Sequence, residues 1–345
     1  MTSNNTARGL KKAIYGGLFS LLTIFVLLGY FNLTAREISV RRSVSPPEAR
    51  PARTLLVRQS DNRFAANENL VSAWSTSSSI ETRPTYMRVE RDDEGKPLAL
   101  QTSIVRFVPT HRRTQGLTVD LIGAVHVGDQ AYYETLNRRF QDYDVVLYEL
   151  IAPEGTRIPK GGSEGGGGMI GGIQNGMKSM LDLTHQLNHI DYTAMNLVHA
   201  DMSPGEFSQA MEDRGESWLQ MYFRELGYNM ATQAGKDNSG DFSMLRALFS
   251  RDRTRQMKIL LADQFEQQEG MVGALEGPEG SAIITGRNGK CFEVLQEQIR
   301  RGNKRIAVFY GAGHLYDMEL RLERDFGLQR SRECWVDAWN LEAKN

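Results

Sequence analysis

Cysteine is the scarcest reactive residue in this chain: two in 345 residues, Cys291 and Cys334. So few exclude a disulfide framework and a thiolate zinc site. One Cys291–Cys334 disulfide and two free buried thiols both stay open. Excess charge is lacking as well. The formal net charge is −1, which gives no electrostatic ground for nucleic acid or for an acidic substrate. No Gly-x-Ser-x-Gly elbow closes a predicted strand, and neither cysteine has a histidine neighbour in sequence, so serine and cysteine nucleophile mechanisms have no support. The glycine-rich run at 161–176 is not followed by Gly-Lys-Ser/Thr, and it lacks the spacing and strand context of a dinucleotide fingerprint. It reads as a flexible insertion, with a flap over a site as the functional alternative.

What is present is globular. Apolar residues make up 40% and aromatics 9%, enough for one large domain with appendages. Ala13–Phe31 is a nearly continuous uncharged apolar stretch of about the length a bilayer core requires. Arg8, Lys11 and Lys12 precede it, and Asn32-Leu-Thr-Ala-Arg36 is a poor cleavage site. The expectation is an uncleaved single-pass anchor in the membrane. The positive-inside rule puts the catalytic domain outside the cytoplasm, although Arg36, Arg41, Arg42, Arg50 and Arg53 weigh the other way. Residues 1–35 are thus an anchor, 36–80 a basic Ser/Pro-rich linker, and 81–345 the folded domain.

Within that domain, Tyr86–Glu90 and Leu98–Val108 flank Asp92-Asp-Glu-Gly95, a hairpin pattern. Leu117–Ile122 reads as a buried strand, Asp129–Phe140 as a helix with Asp129 as N-cap, and Tyr143–Glu149 as a second strand, giving a βαβ unit. A helix is predicted over Met177–Asn188 and a short strand over Met195–Asp201. Ser203 caps a helix with Pro204 at its first position, opening a helical cap over about 205–275. Ser281–Asn288 leads into a helix over Cys291–Arg301. A strand (Arg305–Tyr310), a helix (Leu315–Phe326) and an edge strand (Arg332–Trp339) follow. The fold class is α/β, with a largely parallel sheet flanked by helices.

Two units stand out in this pattern, Gly123-Ala-Val-His126 and Gly311-Ala-Gly-His314. Chance supplies roughly 0.6 Gly-x-x-His in a chain of this composition, so the shared context is the signal: each unit closes a predicted buried strand. Glycine permits a tight strand exit, and side chains beyond the carboxyl ends of parallel strands line the usual ligand crevice. Glu149 and Asp201 end two further strands. Imidazoles with carboxylates suit a divalent first-row metal, which would polarise a carbonyl and acidify a bound water. A carboxylate not used as a ligand could be a general base. Arg287, at the head of a helix, could clamp a carboxylate or an oxyanion, or simply pair with Glu149. His185 and His189 stand at i,i+4 on a predicted helix, a zinc-compatible spacing, but Gln186 breaks the His-Glu-x-x-His pattern. His199 reads as a structural residue and His111 as a solvated turn.

These residues carry a resemblance. Gly123–His126, Glu149 in Val145-Val-Leu-Tyr-Glu149, Arg287-Asn288 and Gly311–His314 resemble the motifs of the TraB/PrgY/GumN group, which includes the TIKI membrane metalloproteases. The resemblance covers about residues 115–326, with Val308–Leu315 the best local match. It implies an α/β fold shared with erythromycin-esterase-like and haem-binding ChaN-like proteins. It implies a membrane-anchored metal-dependent hydrolase, a peptidase acting on a peptide or protein, with manganese or cobalt favoured and zinc or iron as alternatives. His126, His314 and Glu149 would hold the metal, and Glu149, Arg287 and Asp201 would serve catalysis. Members of the group also include proteins thought to sequester a peptide without cleaving it, and haem or iron carriers. The glycine-rich loop at 161–176 and the helical stretch after Glu206 depart from the group's pattern.

Overall fold

The computed structural model describes residues 84–111, 116–156, 158–159, 181, 183–217, 247, 250, 252–275 and 280–343. The expected anchor Ala13–Phe31, the linker at 36–80, the loop at 161–176 and residues 218–246 of the expected cap lie outside the described residues. Among the described residues, no helix is long and apolar enough to cross a membrane.

The elements follow the hydrophobic runs. Strands β1 (Met87–Arg91) and β2 (Pro97–Pro109) form the expected hairpin. The Asp92 carboxylate accepts from the backbone N–H of Glu94 at 3.1 Å and of Lys96 at 2.8 Å, while Gly95 takes φ +79°, a conformation open to glycine. Strand β3 (Thr118–Ala124) leads through the two-residue β4 (Val127–Gly128) into helix α1 (Gln130–Phe140) and strand β5 (Val145–Tyr148). Then come β6 (Thr184–His185), the one-turn α2 (Gln186–His189), β7 (Leu197–His199), α3 (Pro204–Asp213) and α4 (Arg253–Leu275). A π-helical turn, Ala282–Gly286, runs straight into α5 (Arg287–Arg300). Strand β8 (Arg305–Gly311), a 3₁₀ turn (Ala312–His314), α6 (Leu315–Phe326) and β9 (Leu328–Asn340) complete the chain.

The result is a mixed, mostly parallel central sheet flanked by helices. Its order is β1-β2-β3-β8-β5-β7, with β9 on the other side of β2. Strands β3, β8, β5 and β7 run parallel. The long β2 is antiparallel to β3 and to β9, and β1 shares the β3 side of β2 over its first half. The parallel strands are largely apolar on both faces, as a sheet covered on both sides demands. Val119, Leu121, Val145, Leu147, Ile306 and Val308 pack beneath α5 and α6. Ile122, Val146, Ala307 and Phe309 pack against α1 and α4 on the opposite face. Cys291 belongs to the first layer and Cys334 to the second, both buried and free. One acid, Asp120, lies fully buried within β3. It accepts two hydrogen bonds from Arg106, each 2.8 Å, and one from the Tyr143 hydroxyl at 2.7 Å, so its charge is fully matched.

Several expectations need correcting. In place of the end of a helix over Met177–Asn188, Thr184–His185 pairs with Val127–Gly128 and only Gln186–His189 is helical. His185 and His189 therefore do not share a helical face, and His189 instead stacks on Tyr133 at 6.2 Å between ring centroids. The strand expected over Met195–Asp201 is three residues long, because the Asn196 amide is drawn to the carbonyls of Phe140 and Tyr143. Asp129 stands at the N-cap position of α1 without capping it: its carboxylate takes Lys258 Nζ at 2.8 Å and the N–H of Asn340 at 2.6 Å. Helix α5 starts at Arg287 rather than at Cys291. Ser203 does cap α3, reciprocally with Glu206 and with Pro204 in the first turn. The last strand is an edge strand, longer than expected.

Phe309 is fully buried in β8 and meets Phe140 edge-to-face at 5.0 Å. Phe309→Ala is expected to lower stability by about 3–5 kcal/mol in urea unfolding.

Candidate active site

Strands β3 and β8 are neighbours whose onward connections leave on opposite faces, β3 toward α1 and β8 toward α6. In open α/β sheets ligands bind at such a divergence, beyond the carboxyl ends of the strands. His126 follows β3 and His314 follows β8, one on each side of it. Glu149 and Asp201 follow β5 and β7 along the same rim. Both glycines of the Gly-x-x-His units are close-approach positions. A Cβ on Gly123 would lie 3.3 Å from the Ser103 carbonyl, and one on Gly311 would lie 3.3 Å from Glu149 Oε2.

Arg287 sits at the centre. Its Nε and Nη2 grip both oxygens of Asp201 at 2.9 and 2.5 Å, and Nη2 also donates to Glu149 Oε1 at 2.6 Å. Its Nη1 lies 3.5 Å from His314 Nε2. The other oxygen of Glu149 accepts the backbone N–H of Gly311 at 2.7 Å. His314 Nε2 stands 3.6 Å from Glu149 Oε1, and His314 Nδ1 lies 2.7 Å from Asn288 Oδ1. Exposure falls to 6% for Glu149 and Arg287, 5% for His314 and 2% for Asp201, whereas His126 is half-buried. The fold therefore gathers all five expected residues at one rim. His126 lies close enough to Glu149 and Arg287 for each to act on its charge, and Gln186 of α2 lies beside it.

The electrostatics follow from that packing. Burial alone would raise the Glu149 carboxyl, but Arg287, helped by the two histidines and the Gly311 N–H, holds it well below the usual carboxylate range. Burial disfavours the Arg287 cation, yet Asp201 and Glu149 outweigh it and raise the guanidinium further. Burial pushes His314 down to about 4, against the opposing pull of Glu149, and lowers His126 as well. At neutral pH Glu149 is thus ionised, Arg287 is a guanidinium, and His314 and His126 are neutral imidazoles. Burial pushes the nearby Cys291 thiol far up, so it offers no thiolate.

The donor set does not fit the metal implied by the resemblance. Both Glu149 oxygens already have strong partners, and Arg287 stands within the group where a second cation would be repelled. Among the described residues, no group of three or more His, Cys, Asp or Glu is placed to hold a metal ion. Residue types alone could not reveal that competition. Asn288, Gly311 N–H and Gln186 also escaped the sequence reading as site groups. Asn288 was adjacent to Arg287 and one helical step from view.

The pH dependence of stability follows from His314. The folded ring stays neutral to about 4, while the unfolded ring takes up a proton near 6.5. Between these values the unfolded chain binds more protons, so stability is full above about 6.5 and falls by up to about 3 kcal/mol as pH drops to about 4. Glu149, held low, contributes stability that is fully present above its ordinary value of 4.5 and is lost progressively as pH falls below it. Urea unfolding at stepped pH is expected to show the limb between about 6.5 and 4 in the native protein and its flattening in His314→Gln.

No protein-family model, no curated protein and no solved structure matches this chain.

Proposed function

We propose that the chain is a hydrolase of an acyl bond, with a peptide as substrate, and that its site works without a metal. The observation that carries this reading is the neutral buried His314, its Nε2 facing Arg287 Nη1 at 3.5 Å beside Glu149. Such a group is a base that stays unprotonated across the physiological range. In the proposed step His314 takes a proton from water as the water oxygen bonds to the carbonyl carbon, and the carbonyl π pair moves onto its oxygen. Arg287 Nη1, the guanidinium nitrogen facing away from the two carboxylates, stabilises that oxyanion. Collapse expels the amine, which leaves with the proton returned by His314. Half-buried His126 lines the entrance and contacts the leaving group. Glu149 and Asp201 keep Arg287 charged and aimed. The expected anchor, Ala13–Phe31, would hold the site at the outer surface of a membrane.

The test is hydrolysis of a peptide library by the full chain, with and without chelator and with added manganese. Cleavage that survives chelator, keeps its rate down to pH about 5, falls on the order of 10²-fold in kcat in His314→Gln and loses its oxyanion contact in Arg287→Lys fits the reading. Cleavage that depends on manganese would overturn the metal-free site and return His126, His314 and Glu149 to the role of ligands. No cleavage at all, with peptide retained by the protein, would replace the hydrolase with a peptide binder.

A further inference from the structure

The proposed base has two ring nitrogens, and only one faces Arg287. We propose that Asn288 is the positioning residue that fixes the His314 tautomer, keeping the proton on Nδ1 and the lone pair on Nε2, where it faces Arg287. This rests on the reading of His314 as a base but concerns the placement of one proton.

The geometry leaves little freedom. Asn288 is fully buried. Its Nδ2 lies 3.1 Å from the His314 carbonyl oxygen and 2.8 Å from Asp317 Oδ2. A backbone carbonyl and a carboxylate only accept, so the amide nitrogen must face them and spends both hydrogens there. The flip of the amide is therefore set by its neighbours, and Oδ1 is left 2.7 Å from His314 Nδ1. An amide oxygen only accepts, so the ring nitrogen opposite must donate. In the neutral imidazole the remaining nitrogen then carries the lone pair. On that side the contacts agree: Arg287 Nη1 is a donor with nothing to accept, and it faces Nε2 at 3.5 Å.

Asn288 is itself held. Asp317 Oδ2 accepts from Arg321 Nε at 2.7 Å, and Arg321 Nη2 donates to the Thr285 carbonyl at 3.0 Å. Thr285 belongs to the π-helical turn that ends next to Arg287. A chain of polar contacts thus runs from α6 through the head of α5 to the imidazole, and returns to the turn that aims Arg287. This is the arrangement by which outer residues orient a working imidazole.

The experiment is nitrogen-15 NMR of the full chain labelled at histidine, with His314→Gln assigning the resonance. A proton on Nδ1 in the native protein and loss of that preference in Asn288→Leu establish the positioning role. A proton on Nε2 in the native protein, or an unchanged tautomer in Asn288→Leu, overturns it, and the native spectrum decides this even where Asn288→Leu fails to fold. Kinetics separate the two proposals. Asn288→Leu is expected to lower kcat on the order of 10²-fold with KM unchanged. A shifted tautomer with unaltered kcat would sink the base role of His314 and leave the tautomer assignment standing.

Discussion

The burial of one guanidinium organises this molecule. A cation taken out of water must be matched, since an unpaired buried charge costs several kcal/mol. Arg287 is matched by Asp201 after β7 and by Glu149 after β5, and Glu149 is pinned on its far side by the N–H of Gly311 after β8. One side chain at the head of α5 therefore ties three loop entrances to one point. The carboxylates depend on it equally, because two of them within the same buried rim would repel each other without a cation between. The site and the upper edge of the fold share a single electrostatic origin.

Much of the frame was legible in the sequence, and the reason differs by element. β3, β5 and β8 are short apolar runs bounded by polar residues, and a strand buried on both faces must read that way. The four site residues that follow strands could be placed on one rim because parallel strands end together. The fully capped α3 was legible because Ser203, Pro204 and Glu206 act within one turn. What escaped depends on partners far along the chain. Asp129 has the composition of a cap, but Lys258 and Asn340 claim its carboxylate. Thr184–His185 pairs with Val127–Gly128 from far along the chain, and no local pattern marks it. The length of β9 is set by its pairing with β2 from Ala99 to Pro109.

The chemistry was legible only in part for the same reason. Histidines and carboxylates at one rim read as a ligand set when counted by type. Folded, the same atoms are shared out: Asp201 to Arg287, Glu149 between Arg287 and Gly311, and the inner nitrogen of His314 to Asn288. On the metal-free proposal, a guanidinium supplies the positive charge that a divalent ion would have brought, without an open coordination position. The difference between the two chemistries is one of occupancy of lone pairs, which spacing in a sequence does not encode.

The two cysteines lie in different layers, Cys291 on the inner side of α5 and Cys334 in β9 facing the other layer. The sheet itself is a wall between them, so oxidation cannot join them while the strands hold. Burial also pushes both thiols toward the protonated form, Cys334 to about 11. Once folded, the two thiols therefore stay apart and protonated, and an oxidising compartment would not join them.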